Sequence, residues 1–420
     1  MTCSAIELQA FPSRSILPAS DNPQLVYVMV VASPQGLPVS VPRLPLNLCL
    51  VIDRSSSMRG DRMFQVKEAA GRILDRLGAE DYFSLVTFND RAHTVIPTQR
   101  VGTNAGLLKN LMNDLEAEGG TEMATGLELA VQEVQRAFLM HSMTRIIILT
   151  DGRTYGDEGQ CVKIARKAQQ KGIGLTALGI GHEWNEDLLE IMTASENSHS
   201  RYITSVQDIP EVFDDELRRM HSIFARGVQL LIETHSDSTV RSLDRIQPFI
   251  APIPFKGEHD LRWVGNLGDW PGAEVQSFLM ELVVPPLTEG DYHLLRLVLR
   301  FDLPIRDATN QRCELDLNVA VRPAHTVSNE VDLTVKHWLE RLVAYRLQDR
   351  AWKNLQTGSI DEAVMQLQMA GTRLLEAGED ELARTIREEV TRLLKLGTTT
   401  AEGRKRIKYG TRGLIKAPNR

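Results

Sequence analysis

LNLCLVIDRSSSM, residues 46–58, decides how this chain is read. A short apolar run, broken only by Asn47, gives way at Asp53 to a cluster of serines. The run is too continuous for a strand with one wet face, so a parallel strand buried on both sides is expected. Two later stretches repeat the transition. RIIILTDGRT (145–154) is a second such run that ends at Asp151, and EGGTEM (118–123) sets Thr121 after two glycines and before a helical pattern. In an open α/β sheet the ligand crevice lies beyond the carboxyl ends of the strands. Asp53, Ser55, Ser57, Thr121 and Asp151 are therefore expected to converge there.

The chemistry of that set is uniform. Every donor is an oxygen, which suits a hard cation such as Mg2+, whose shell is about six oxygens in octahedral array at roughly 2.1 Å. In Asp-x-Ser-x-Ser the alternate residues can converge from one turn, while Arg54 and Ser56 point elsewhere. Two formal negative charges leave a dication electrophilic, so an open coordination position can take a carboxylate from another molecule. Each fragment alone has a plainer reading. Thr-Asp-Gly is a common turn, Gly-Gly-Thr a common loop, and a run of serines a common helix cap. The complete set, in order, favours metal binding.

The three motifs resemble the von Willebrand factor type A (VWA) domain and its metal-ion-dependent adhesion site (MIDAS), in the intracellular bacterial type of that family. The resemblance covers roughly residues 44–225. Asp53, Ser55 and Ser57 match the first motif, Thr121 the threonine loop, and Asp151 the last aspartate. Ser56 stands where many members carry Gly, which leaves the first loop less free to rearrange. The resemblance implies Mg2+ or Mn2+ as cofactor, with Asp53 acting largely through water and Ser55, Ser57 and Thr121 coordinating directly or through water. It also implies a protein partner that supplies an Asp or Glu, in the company of an AAA+ ATPase, a kinase, a phosphatase or another assembly factor. Arg54, Met58, Glu122 and Arg153 flank the motifs and are the expected partner-binding rim.

An enzyme reading competes with this adaptor reading. Asp53 after a first strand could be the nucleophile of a Mg2+-dependent phosphatase of the haloacid-dehalogenase type. Such enzymes want an acid two residues on, where this chain has Ser55, and have no use for the Gly-Gly-Thr loop. There is no Gly-x-x-x-x-Gly-Lys loop, no Gly-x-Ser-x-Gly elbow and no His-Glu-x-x-His helix. A non-enzymatic interaction module is the expectation.

Around the first motif the pattern alternates. FQVKEAAGRILDRL, ATGLELAVQEVQRAF and CVKIARKAQQKG have helical spacing, whereas YFSLVTFN, RIIILT and IGLTALGIG are strand-like. AHTVIPTQ follows its neighbour so closely that an antiparallel edge strand is expected. The flanks differ. PQLVYVMVVASP before the motif, and VQLLIET, SFLMELVVP, YHLLRLVLRF and CELDLNVAVRP after it, are β-type runs separated by turn residues. The expected fold class is α/β: a doubly wound, mostly parallel VWA sheet inserted in a β-sandwich and followed by helices. The sandwich would begin in residues 1–43, the VWA domain occupy 44–225, the sandwich resume in 226–327, and two or three helices fill 328–397. The second and third of these helices resemble a single tetratricopeptide-like pair.

The 420 residues carry a net charge of −7 and 42% hydrophobic residues, enough for ordinary cores in two or three domains. No apolar run approaches a membrane span, and MTCSAIELQAFPSRS lacks the features of a signal peptide, so a cytoplasmic protein without membrane contact is expected. The four cysteines are far apart, which argues against both a zinc site and a disulfide framework. Residues 398–420 are expected to form a basic flexible tail, since seven cations and no acid fall between 404 and 420. A solvated end, or a segment folded back on the acidic body, explains that run better than nucleic-acid binding. Thr398, Thr399 and Thr400 at its start are candidate phosphorylation sites for a forkhead-associated reader, against the plainer reading of a solvated linker.

Overall fold

The structure, a computed structural model, describes residues 5–35, 44–137, 142–221, 223–235, 237–257, 261–272, 274–304, 308–328 and 330–415. Its contacts divide into two units, one of Met1–Val41 with Phe224–Gly413 and the other of Pro42–Ile223 with Leu414–Arg420. The first unit opens with β1 (Ile6–Pro12), β2 (Ile16–Pro18) and β3 (Gln24–Pro34).

The second unit is an α/β domain. Its elements are β4 (Leu46–Asp53), α1 (Asp61–Arg76), β5 (Tyr82–Phe88), β6 (Ala92–Arg100), α2 (Ala105–Asn113), α3 (Met123–Arg136), β7 (Met143–Thr150), α4 (Glu158–Gln170), β8 (Gly174–Ile180), α5 (Glu186–Met192), β9 (His199–Ile203) and α6 (Ile209–His221). The strand order is β6-β5-β4-β7-β8-β9, parallel throughout except that β6 runs antiparallel to β5 at the edge. Both β4 and β7 are buried along their whole length. Period-two alternation divides the burial between two helix layers. Leu48, Leu50 and Ile52 share a core with Val66 and Ile73 of α1 and Phe213 and Leu217 of α6. On the other face Asn47 donates from Nδ2 to the Val134 and Ala137 carbonyls at the end of α3. From β4 the chain moves to β5 on one side and returns at β7 on the other. That reversal of order puts the crevice at the carboxyl ends of β4 and β7.

The first unit resumes with β10 (Ile223–Thr234), β11 (Thr239–Gln247), β12 (Ala251–Pro252), β13 (Phe255–Gly257), β14 (Arg262–Pro271), β15 (Gln276–Val284), β16 (Gly290–Leu303) and β17 (Ala308–Arg322). One sheet has the order β1-β3-β15-β11-β12 and the other β13-β14-β10-β16-β17-β2. β1 with β3, β3 with β15, β15 with β11, β11 with β12, β13 with β14, β10 with β16 and β16 with β17 pair antiparallel, and β17 pairs with β2 in parallel. Val28, Val30, Phe278 and Met280 from the first sheet and Leu230, Ile232, Leu297 and Leu299 from the second lie in one apolar core. Met29 and Leu279, on the opposite face of the first sheet, pack with Val335 and Leu342 of α7 (Leu333–Gln356). The helices α8 (Ile360–Glu376), α9 (Asp380–Leu396) and α10 (Ala401–Arg412) complete a C-terminal helical domain.

That last helix corrects the expectation of a flexible tail for 398–420 over its described part; residues 416–420 lie outside the described residues. Thr400 accepts the Gly403 N–H as N-cap, and Gly413 in the left-handed region ends the helix. Ile407 and Tyr409 are fully buried, and even Lys405 and Lys408 are among the buried residues. Two glycines allow the close packing: a Cβ on Gly403 would fall 2.1 Å from Glu389 Oε1, and one on Gly410 2.5 Å from Leu382 Cδ2. The three threonines are also not alike. Thr398 is exposed, whereas Thr400 donates both its N–H and its hydroxyl to the Glu389 carboxylate.

Candidate functional site

Asp53 ends β4 with its side chain fully buried. Its Oδ1 accepts the Ser55 N–H at 2.8 Å, and its Oδ2 accepts the hydroxyl of Thr150, the last residue of β7, at 2.6 Å. Burial pushes the Asp53 carboxyl up to about 6, against the pull of the Thr150 and Ser55 hydrogen bonds and with a smaller push from the nearby Asp151 charge. The oxygens then continue outward. Ser55 Oγ lies 3.0 Å from Ser57 Oγ, and Ser57 Oγ donates to Asp151 Oδ1 at 2.7 Å. The other Asp151 oxygen accepts from Arg62 Nη1, which also donates to the Ser57 carbonyl at 3.0 Å.

The Gly-Gly-Thr loop is fixed from beneath. Gly119 adopts φ 80°, a region that disfavours side chains, and its carbonyl accepts the Ser56 N–H at 3.0 Å. Asn89 Nδ2 donates to the Glu118 carbonyl at 2.9 Å, and Asp90 Oδ2 accepts the Gly120 N–H at 3.0 Å. Past the loop, the first N–H groups of α3 are satisfied by Thr154 Oγ1, which accepts from Met123, and by Asp157 Oδ2, which accepts from Ala124. These bonds bring Thr121 to the edge of the serine cluster. A Cβ on Gly152 would sit 3.5 Å from Thr121 Oγ1 and 3.9 Å from Ser57 Oγ, a space that the glycine leaves open.

Asp53, Ser55, Ser57 and Asp151 thus form one continuous hydrogen-bonded chain, with Thr121 beside Ser57. Three of the expected rim residues lie around it. Arg54 pairs with Glu118 at 3.1 Å, Arg153 is exposed and donates to the Glu183 carbonyl at 3.1 Å, and Glu122 is half-buried at the start of α3. Met58 is a correction: the 3-10 turn Ser56–Met58 directs it inward, where it is fully buried in the core shared with α1. The sequence reading missed Thr150, Arg62, Asn89, Asp90, Thr154 and Asp157. Asn89 and Asp90 carried a usable signal, because they directly follow the strand YFSLVTF, as the serine cluster follows β4. A groove of about 440 Å³ adjoins the serine loop, lined by Arg59, Met63, Phe64, Lys67, Leu115 and Glu118 among others.

Two carboxylates and three hydroxyls make a hard, all-oxygen donor set, which fits Mg2+ or Mn2+ far better than a soft metal. Among the described residues, no group of three or more His, Cys, Asp or Glu is placed to hold a metal. Burial pushes the Cys49 and Cys161 thiols up to about 12, so neither is a thiolate near neutral pH. Cys3 lies outside the described residues.

Comparison with known proteins agrees with this layout. The family model of the von Willebrand factor type A domain matches residues 47–215, and that of the Sll0103-like, C-terminal alpha-helical domain matches residues 333–417, which span α7 to α10. The Synechocystis sp. protein sll0103 is 30% identical over 383 residues, 90% of each chain. Among solved structures, a von Willebrand factor type A protein from Catenulispora acidiphila superposes with a TM-score of 0.77 at 17% identity, over 99% of this chain and 98% of that one. The ArnB paralog VWA2 from Sulfolobus acidocaldarius gives a TM-score of 0.57 at 16% identity, over 98% of this chain and all (100%) of that one. Those two likenesses bear on the fold. Match, coverage and architecture together place the chain in the family of sll0103, as a protein with a VWA domain and an Sll0103-like C-terminal helical domain.

Proposed function

We propose that this protein is a metal-dependent adaptor whose VWA domain grips an Asp or Glu of a partner protein through a bound Mg2+ or Mn2+. VWA domains typically mediate protein–protein interaction, and they often bind a divalent metal at a MIDAS. The observation that carries the reading here is the chain of oxygens from Asp53 to Asp151 at the carboxyl ends of β4 and β7. Ser55, Ser57 and Thr121 would hold the ion directly or through water. Asp151 would add charge at close range. Asp53, with an oxygen already bonded to Ser55 and another to Thr150, would act through water. When bound, the ion supplies an electrophilic position for the partner's carboxylate. Arg54, Glu122 and Arg153 then flank the contact.

The phosphatase alternative fares worse on the same geometry. A nucleophilic aspartate needs an exposed, unencumbered oxygen, whereas Asp53 is buried and hydrogen-bonded on both. The reading is of a non-enzymatic, cytoplasmic protein; among the described residues no helix is long and apolar enough to cross a membrane. It also treats the VWA domain as an insertion in a β-sandwich. The pairing of β3 with β15, Val30 opposite Phe278, supports that, since it joins strands from both sides of the α/β domain. Partners of the AAA+ ATPase, kinase, phosphatase or forkhead-associated class fit the adaptor role, with Thr398 and Thr399 as candidate phosphorylation sites and Thr400 taken by its capping bonds.

Affinity capture from the source cells, read by mass spectrometry in Mg2+ and in EDTA, tests the proposal. Partners should be retained by wild type in Mg2+ and lost both in EDTA and with Thr121→Ala. Partners retained equally in all three would overturn it.

A further inference from the structure

We infer that Arg62 is a built-in counter-cation of this site, which holds Asp151 when no metal is bound and weakens the binding of a divalent ion. The inference rests on the metal-site reading above and adds to it a residue outside the three motifs. Arg62 projects from the first turn of α1. Its Nη1 donates both to Asp151 Oδ2 and to the Ser57 carbonyl, and its Nη2 lies 3.5 Å from where a Cβ on Gly181 would sit. The guanidinium therefore bridges the loops that follow β4 and β7 and lies beside the one that follows β8. Its side chain keeps 33% exposure while that of Asp151 has none, so the arginine covers the carboxylate from the solvent side. Among the described residues no other ion pair to Asp151 is formed. Arg54 is paired with Glu118 instead, and Arg153 with the Glu183 carbonyl.

A guanidinium stays charged at any working pH. Two carboxylates and one fixed cation leave the centre at a formal charge of −1 before an ion arrives. The entering dication must then share Asp151 with a like charge or displace it. Without Arg62 the full −2 would face the metal. Repulsion between a single and a double charge several ångströms apart, even when screened as fully as in bulk water, corresponds to ~10-fold in affinity. A purely structural arginine gives the opposite sign. If Arg62 only kept Asp151 in place, its removal would loosen a ligand and weaken the metal.

Mn2+ binding to the full chain, followed by electron paramagnetic resonance at constant ionic strength, separates the two. The variants are Arg62→Gln, Arg62→Lys and Asp151→Ala, with melting in EDTA and in Mn2+ as a second readout. Arg62→Gln should bind Mn2+ ~10-fold more tightly than wild type, while Arg62→Lys, which keeps the charge, stays within ~2-fold. In EDTA the Gln variant should melt lower than wild type, and Mn2+ should raise its melting temperature by more. Unchanged or weaker Mn2+ binding by Arg62→Gln, with wild type binding and Asp151→Ala not, would overturn the counter-cation role alone. Absence of binding by wild type, or equal binding by Asp151→Ala, would overturn the metal site and this inference with it.

Discussion

Thr150 donates its hydroxyl to Asp53 Oδ2 at 2.6 Å and so ties the last residue of β7 to the last residue of β4. The bond crosses the point where the strand order reverses, and it satisfies one oxygen of a fully buried carboxylate. It does not remove the cost of burying that charge, as the raised Asp53 pKa records.

Asp53 should therefore destabilise the metal-free protein at neutral pH. Its carboxyl titrates near about 4 in the unfolded chain and at about 6 in the folded one, so the native state favours the protonated form. Stability is full below pH ~4, is lost as pH rises toward ~6, and the loss reaches about 2–3 kcal/mol above that. Asp53→Asn keeps the shape without the charge, with Thr150 turning its hydroxyl to accept. In EDTA at pH 7.5 the variant should melt several degrees above wild type, the gap should close toward pH 4, and Mg2+ should not raise its melting point. A variant that melts at or below wild type at pH 7.5 would contradict this.

Arg346 should be worth more to the first unit than a surface ion pair. From α7 it donates to Asp244 Oδ2 at 2.6 Å and to Glu281 Oε2 at 3.2 Å, and both acids are nearly buried on β11 and β15. Burial keeps the Asp244 carboxyl above its ordinary range even though Arg346 pulls it down. Arg346→Met leaves the buried Asp244 without its cation and Glu281 with only the more distant Arg241 at 3.9 Å, and should cost about 3–5 kcal/mol in denaturant melts at pH 7. Adding Asp244→Asn should recover part of that. A loss below ~1 kcal/mol would place the pair in the surface class.

The ion-pair partners and the site differ in how far the sequence discloses them. β4 and β7 were legible because strands buried on both faces read as unbroken apolar runs, and β6 because its connection is too short for a crossover helix. The five oxygen residues were legible because each stands where a strand ends or just before a helix. Met58 was not, since adjacency to Ser57 says nothing of the 3-10 turn that sends it inward. Arg62 meets Asp151 only because β4 and β7 are neighbours, a fact of topology and not of spacing. For α10, five cations dominate the composition, while the features that fold it, the Thr400 cap, the Gly403 and Gly410 contacts and the Ile407 and Tyr409 anchors, are scattered.

Thr400 should control the order of that helix. Thr400→Ala removes a cap worth about 1 kcal/mol and a hydroxyl partner of the buried Glu389. Amide exchange across α10 should rise roughly tenfold per 1.4 kcal/mol lost, with the VWA sheet unaffected. Unchanged exchange in α10 would show that the glycine contacts and apolar anchors suffice without the cap.

The central claim is the metal site, and calorimetric titration of Mg2+ into the full chain tests it most directly. With two carboxylates and retained waters, wild type should bind one ion weakly, with a Kd on the order of 0.1–1 mM. Asp53→Ala and Thr121→Ala should each lose at least ~10-fold of that affinity, the usual scale for a lost ligand or its outer-shell support. Equal Mg2+ binding by wild type and both variants, or no binding by any of them, would contradict the account.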